Sequence, residues 1–521
     1  MALAALGLTG SAQPTAAEET VPHPSRAINI AVGASASASS AAANSPASNA
    51  VDGSASTAWC ATGWTGSIVV DLGGQRALSG LGVTLGSTAS PSTASIDLAV
   101  TAGSWHPVAA ARDIALDGNT PSYLPLPSGQ TARYARLTVS TGDGTPACVG
   151  EFRLFADTDT DMMLGADLSF AAQELAAGTI FTDQRRVASP IQILRAHGGN
   201  YVRMRLWVNP PAGYSDLATD LALARAVRQA GMKIYLDIHY SDFWADPQHQ
   251  ITPAAWQGQN LTTLAGTVRS YTHDVIAAFA RQDTPVDMVS IGNEIRNGML
   301  WPTGQIDWTA NTGWDNLATL LRAGIQGAHS ANPAGHPLQI MLHYDQGGNN
   351  ATSYQFFHNL VSRDVNFDVI GLSYYTFFHG PVTALRDNVT KLAGQFGKDI
   401  VIAEMQYAWT LANGDTTGNF VWQARQLEGG YPASPGGQLS ILNDVLSILA
   451  QVPGGHGAGL FYWEPEWVPG VGWEPGAGTP NDNLTLFDFQ GRALPSIGLF
   501  ENPVQVCQRY DRNGVPCVLP R

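Results

Sequence analysis

The chain has 521 residues, of which 44% are hydrophobic and only 13% charged, and its formal net charge is −15. That length builds a large core and points to two or more domains. The acidic balance argues against nucleic acid and anionic membranes as partners and suits a neutral ligand. No window holds the roughly 18 uninterrupted apolar residues of a membrane span.

The N-terminal stretch MALAALGLTGSAQPTAAEE has a short apolar run and small residues but no basic segment. Residues 1–26 therefore read as a signal remnant or a disordered leader of a secreted protein. Four cysteines fall in two regions, Cys60 with Cys148 and Cys507 with Cys517. None has the CxxC spacing of a zinc or thioredoxin-like site. Of the three possible pairings, the local one joins Cys60 to Cys148 and Cys507 to Cys517, within a C-terminal tail at 504–521. Unpaired buried cysteines are the alternative. Disulfides would place the chain outside the cytoplasm.

Residues 27–156 are rich in Ser, Ala, Thr and Gly and alternate with a two-residue period. SIVVDLG (67–73), LSGLGVTLG (78–86), ASIDLAVTAG (94–103), RYARLTVSTG (133–142) and VGEFRLFAD (149–157) read as short strands of a β-sandwich. The run GASASASSAAANSPAS (33–48) has linker composition, but the text that follows favours a first strand and loop. The stretches NIAVGASASASS, NAVDGSASTAWCA, SIVVDLG, YARLTV and CVGEFRLF resemble the discoidin-like family, the coagulation factor 5/8 type C domains. The resemblance implies a Cys60–Cys148 bridge and a domain that binds glycans or other surfaces through loops at one end. Trp59, Trp64 and Trp105 are loop-region candidates for sugar stacking, with a core position as the other reading of each.

After the polar joint ADTDTDMM (156–163), strand and helix patterns alternate over 162–503. Eight near-continuous apolar runs follow: 162–168, 200–208, 233–240, 286–292, 338–344, 369–375, 399–405 and 458–464. Between them lie helical patterns such as 217–231, 261–281 and 314–332. Parallel strands buried on both faces read this way. The fold class is therefore α/β, a (β/α)8 TIM barrel preceded by an all-β sandwich. An open doubly wound sheet lacks its Gly-rich fingerprint here.

A barrel carries its site at the C-terminal strand ends. Those ends bear Asp167, Arg205, Trp207, Asp237, His239, Tyr240, Asp242 and Trp244. Asn293, Glu294, His343, Asp345, Tyr374, Tyr375, Glu404, Trp463, Glu464 and Trp467 follow. Aromatic faces stack on sugar rings and polar groups read hydroxyls. Two glutamates at the ends of strands four and seven, Glu294 after Asn293 and Glu404, are what glycoside cleavage needs.

The barrel resembles glycoside hydrolase family 53, the endo-β-1,4-galactanases. GADLSF, YVRMRLWVNP, HYSDFWADP, SIGNEIRNGMLWP, VIAEMQYAW, GLFYWEPEWVPG and DNLTLFDFQGRALPS carry the likeness. It implies a retaining mechanism with Glu294 as general acid and then base, and Glu404 as nucleophile. Arg205 is the expected cation on Glu404, and Tyr374 a hydrogen bond to it. Asn293 would meet the sugar 2-hydroxyl, and Trp463 would be the floor of the subsite before the cleaved bond. His239 either tunes the acid or bonds a core carbonyl. Asp167, Trp207, Asp242, Trp244, His343 and Trp467 complete the expected substrate-binding set.

NGDTTGN places Asn413, Asp415, Thr417 and Asn419 at alternate positions of one loop, a calcium-loop pattern. The resemblance implies a structural Ca2+ completed by Thr479 and Asp482. Asn413 and Thr417 replace more acidic or histidine ligands, so a plain Asn/Gly turn is the competing reading. The expected partner is β-1,4-galactan of type I arabinogalactan, acted on by a secreted monomer. Another retaining β-glycanase, a mannanase or xylanase, or a non-catalytic carbohydrate-binding protein are the alternatives.

Overall fold

The computed structural model describes residues 26–501 and 506, except 88, 119, 159–161, 211–213 and 474–476. The expected leader and the Cys507–Cys517 pairing lie outside the described residues.

Residues 26–158 form two antiparallel sheets. One runs Arg26–Asn29, Cys148–Thr158, Gly80–Leu85, Ser122–Pro125; the other runs Ser35–Ala38, Thr65–Ala77, Thr131–Thr141, Ser92–Ala99, His106–Pro107. The alternating residues do what a two-residue period requires, and Ile68, Val70, Leu137 and Val139 point into the core. SASA at 35–38 is a strand and not a linker. Trp59 is buried in this core, its indole N–H donating to Ser40 O at 2.9 Å, so it is not a stacking ring. Cys60 is bonded to Cys148, across neighbouring strands.

The barrel strands are β1 (Met163–Asp167), β2 (Tyr201–Leu206), β3 (Lys233–Ile238), β4 (Met288–Ile291), β5 (Gln339–Tyr344), β6 (Val369–Ser373), β7 (Asp399–Met405) and β8 (Gly457–Tyr462). They close in chain order, all parallel, with β8 pairing β1. Outward residues such as Val202, Met204 and Leu206 pack on the helix layer. Inward Tyr201, Tyr235, Met288, Met341 and Phe461 fill the barrel. Several of the helices start on side-chain caps. Asn260 accepts from Thr263 N–H at the head of Leu261–Arg281, and Asp216 does the same for Thr219 before Leu217–Gln229.

The helix Pro435–Ala450 is buried nearly all round. Three of its polar residues, Ser440, Asp444 and Ser447, meet the sandwich. Ser440 Oγ lies 2.7 Å from the Tyr123 hydroxyl, and Ser447 Oγ accepts from Asn29 N–H at 2.9 Å. Arg153 grips Asp444 with two N–H groups, at 3.0 and 2.9 Å, both side chains fully buried. Gly430 runs against the sandwich backbone, where a Cβ would lie 2.3 Å from Ser56 N.

Candidate active site

The turn after β4 sets the first carboxylate. Gly292 has φ +92°, and a Cβ there would lie 2.6 Å from Ile295, so only glycine fits. Glu294 itself sits in the left-handed region at φ 48°, ψ 48°, which swings its side chain over the barrel mouth. Glu404 comes from β7 opposite. One carboxylate oxygen of each, with a ring nitrogen of His343, lie within 4.8 Å of one another.

The two carboxyls live in different surroundings. Glu404 Oε1 accepts from Arg203 Nη2 at 2.7 Å, and its Oε2 accepts from the Tyr375 hydroxyl at 2.8 Å. Burial pushes Glu404 up to about 7, with Arg203 and Tyr375 holding it back. Glu294 is pushed well above the carboxylate range by burial, then by Glu404 and Asp345. The environment therefore keeps the proton on Glu294 and ionises Glu404 first. Arg203 also contacts Asp167, Asp237 (2.7 Å) and Asn293 Oδ1 (3.0 Å).

Two expected contacts are corrected. Arg205 does not hold Glu404; it pairs with Glu464 at 2.6 Å and lies over the rings of Phe170, Trp207 and Trp244. Both arginines point into the barrel, but one pleat repeat, about 6.6 Å, separates them along β2. Only the deeper one meets Asp237 and Glu404. Tyr374 points the other way, its hydroxyl donating to Gly380 O at 2.9 Å, whereas Tyr375 reaches Glu404.

Above the carboxylates opens a cleft of about 1110 Å³. His239, Asp242, Trp244, Asn293 and Trp463 line it with both glutamates. Asp167, Trp207, His343, Tyr374 and Trp467, expected at substrate, are instead wholly buried and do not line it. Trp467 stacks on Phe170 with ring centroids 4.2 Å apart, and Trp207 donates its N–H to His239 Nδ1 at 3.3 Å. His239 Nδ1 also accepts Ala245 N–H at 3.1 Å, so its other nitrogen faces Asp237 at 3.2 Å. His239 therefore supports the Arg203 side of the site, neither tuning Glu294 directly nor bonding a core carbonyl. Phe377, Phe378, Arg296, Gln406 and Trp473 line the cleft and escaped the sequence reading. The run Thr376-Phe377-Phe378 directly after Tyr375 was the available signal.

At the edge of this cleft, where Phe420 and Asn481 line it, loops 413–419 and 479–482 meet. Asp415 Oδ2 accepts from Thr479 N–H at 2.8 Å and Asp482 Oδ2 from Gly414 N–H at 2.7 Å. A Cβ on Gly478 would strike Thr417 Oγ1 at 2.4 Å and Asp415 Oδ2 at 2.6 Å. Asp482 Oδ1 and Asn419 Oδ1 are buried without a hydrogen-bond partner. Burial pushes Asp482 up to about 6. Asn413 is spent on the turn, its Oδ1 accepting Asp415 N–H at 3.0 Å. The donor set is oxygen throughout, and the two orphaned oxygens fit a hard cation.

A closed parallel barrel holding two opposed glutamates at the ends of β4 and β7, under an aromatic cleft, is the architecture of a glycoside hydrolase. The sequence matches the glycosyl hydrolase family 53 profile over residues 163–500, and the chain belongs to that family. Residues 35–151 match the F5/8 type C domain. A Niallia circulans protein described as uncharacterized, in the bgaB 5′ region, is 39% identical over 341 residues, 64% of this chain and 92% of its own length. The probable arabinogalactan endo-beta-1,4-galactanase A of Aspergillus terreus is 38% identical over 316 residues, 59% of this chain and 86% of its own. Among solved structures, the Ignisphaera aggregans GH53 catalytic domain is similar at TM-score 0.62 and 34% identity, covering 66% of this chain and 96% of that one.

Proposed function

We propose that the protein is a secreted, retaining endo-β-1,4-galactanase that cleaves type I arabinogalactan as a monomer. The observation that carries the mechanism is the approach of Glu294 and Glu404 oxygens to within 4.8 Å. Retaining enzymes hold their carboxyls roughly 5–5.5 Å apart, whereas inverting ones leave roughly 6.5–9.5 Å for a water. The Aspergillus terreus relative is named a probable arabinogalactan endo-beta-1,4-galactanase A, and a neutral galactan suits an acidic chain.

Glu294 delivers its proton to the glycosidic oxygen while the Glu404 carboxylate attacks the anomeric carbon. The leaving sugar departs and a covalent glycosyl-enzyme forms. Glu294, now ionised, takes a proton from water, which displaces Glu404 and restores the starting configuration. Arg203 and Tyr375 keep Glu404 ionised and aimed. Asn293 Nδ2 uses one N–H on Ala245 O at 2.8 Å, leaving the second for the sugar 2-hydroxyl. Trp463 supplies a stacking face.

In the sandwich, Trp64 is 59% exposed and free to stack on a glycan, whereas Trp105 is covered by Arg136 at 4.7 Å. Binding there would raise the local enzyme concentration on an insoluble polymer. A Ca2+ held by Asp415, Thr417, Asn419, Thr479 and Asp482 would tie the two loops together without entering the chemistry.

Product analysis on linear β-1,4-galactan tests the reading. Galacto-oligosaccharides are expected, with none released from mannan or xylan. Release from mannan or xylan alone would overturn it.

A further inference from the structure

Behind Glu294 runs a chain of polar atoms through Ser373 and His343, neither of which lines the cleft. Ser373 Oγ lies 2.5 Å from Glu294 Oε1. His343 Nε2 lies 2.9 Å from Ser373 Oγ, and His343 Nδ1 lies 2.8 Å from Asn293 Oδ1. Ser373 and His343 are fully buried. Taken alone, the first contact reads as a hydroxyl donating to a carboxylate. The groups behind it assign the opposite polarity.

The polarity is set at Asn293. Arg203, which carries only donors, lies 3.0 Å from Oδ1, and Ala245 O, which can only accept, takes Nδ2 at 2.8 Å. Asn293 Oδ1 is thus an acceptor toward His343, and His343 Nδ1 must carry the hydrogen. Burial and Arg203 push the His343 pKa down to about 3, so the ring is neutral and Nε2 is a bare acceptor. Ser373 then spends its one O–H on Nε2. What it offers Glu294 is a lone pair.

We infer that Ser373 and His343 are positioning residues that hold Glu294 as the protonated acid by presenting it with an acceptor in place of a donor. The inference rests on Glu294 being the acid of the proposed reaction. In the resting site, Glu294 O–H donates to Ser373, Ser373 to His343, and His343 to Asn293. When Glu294 turns over and gives its proton to the leaving oxygen, Ser373 can follow with its own hydrogen only by abandoning His343. The carboxylate is therefore short of one hydrogen bond relative to the acid, worth about one pH unit. Other charges also face Glu294. Glu404 on β7, Asp345 directly after β5 and Asp246 after β3 favour its acid form; Arg296 pairs with Asp345, and Tyr375 stands beside Glu404. Around His343 are Arg203, Asp237 and His239.

The test is the alkaline limb of kcat. In Ser373→Ala the limb should move to lower pH by about one unit, with KM changed less than kcat at the wild-type optimum. His343→Phe frees the Ser373 hydrogen for the carboxylate and should move the limb the same way. Ser373→Thr, which keeps the hydroxyl, should restore it. A limb that stays or moves to higher pH in Ser373→Ala would overturn the inference, because a serine that donates to the carboxylate lowers the acid's pKa. Independently of activity, 15N NMR of histidine in the wild-type protein, with His343→Phe to assign the signal, should show the Nδ1–H tautomer at His343. The Nε2–H tautomer would equally overturn the inference. If Glu294→Gln keeps its activity, the assignment of the acid fails instead, whatever the tautomer.

Discussion

Arg203 reaches from β2 across the barrel and places Nη2 2.7 Å from Glu404 Oε1. One guanidinium also meets Asp167 and Asp237, so a single side chain connects four strands beneath the cleft. Against burial, Arg203 and His239 hold Asp237 well below the usual carboxylate range. Arg203→Ala would leave three carboxylates without their cation. It should destabilise the fold by about 3–5 kcal/mol as well as abolish turnover, read by chemical denaturation and kinetics together.

Tyr375 and Tyr374 separate by function. Tyr375→Phe removes the 2.8 Å bond to Glu404 Oε2, worth about 1.5–3 kcal/mol for a charged acceptor. The acid limb of the pH profile should move up, since Glu404 ionises later, and kcat should fall by about tenfold or more. Tyr374→Phe should leave the acid limb in place.

Much of this was legible in the chain. The eight apolar runs have the texture of strands buried on both faces, and Gly292-Asn293-Glu294 announces a turn with a carboxylate. The depth of a side chain inside the barrel is not written in the strand pattern. Arg203 and Arg205 share one face by the two-residue period, and Tyr374 and Tyr375 differ by one residue at a strand end where the pleat stops. Only the neighbouring strands decide which of each pair reaches Glu404. The helix Pro435–Ala450 was likewise hard to read. With both sides covered it lacks an amphipathic stripe, and its Ser440, Asp444 and Ser447 serve the sandwich rather than solvent.

That interface makes a second stability prediction. Arg153→Ala leaves Asp444 buried and uncompensated, at a cost of about 3–5 kcal/mol. Because the pair joins the two domains, calorimetry should show one transition in the wild type and a separated, earlier sandwich transition in the variant.

Glu174 carries a pH dependence of folding. It is buried, with Oε1 unpartnered, and burial pushes its pKa from 4.5 to about 8. Between those values the unfolded chain ionises while the folded one stays protonated, so stability falls as pH rises through that window and levels off above it. Glu174→Gln should remove part of the fall in Tm between pH 5 and 8, measured by thermal melts.

Chelation tests the loop cation. If Ca2+ joins loops 413–419 and 479–482, EDTA should lower the Tm and added Ca2+ should restore it, while Asp482→Asn should make the Tm insensitive to both. An unchanged Tm in EDTA would leave the loops as a metal-free turn.

The proposed mechanism requires Glu294 and Glu404 to act as an acid and a nucleophile too close to admit a water between them. The direct measurement is time-resolved 1H NMR of the anomeric protons released from linear β-1,4-galactan. With retention, the β-anomer appears first and the α-anomer only later by mutarotation. First appearance of the α-anomer would contradict it.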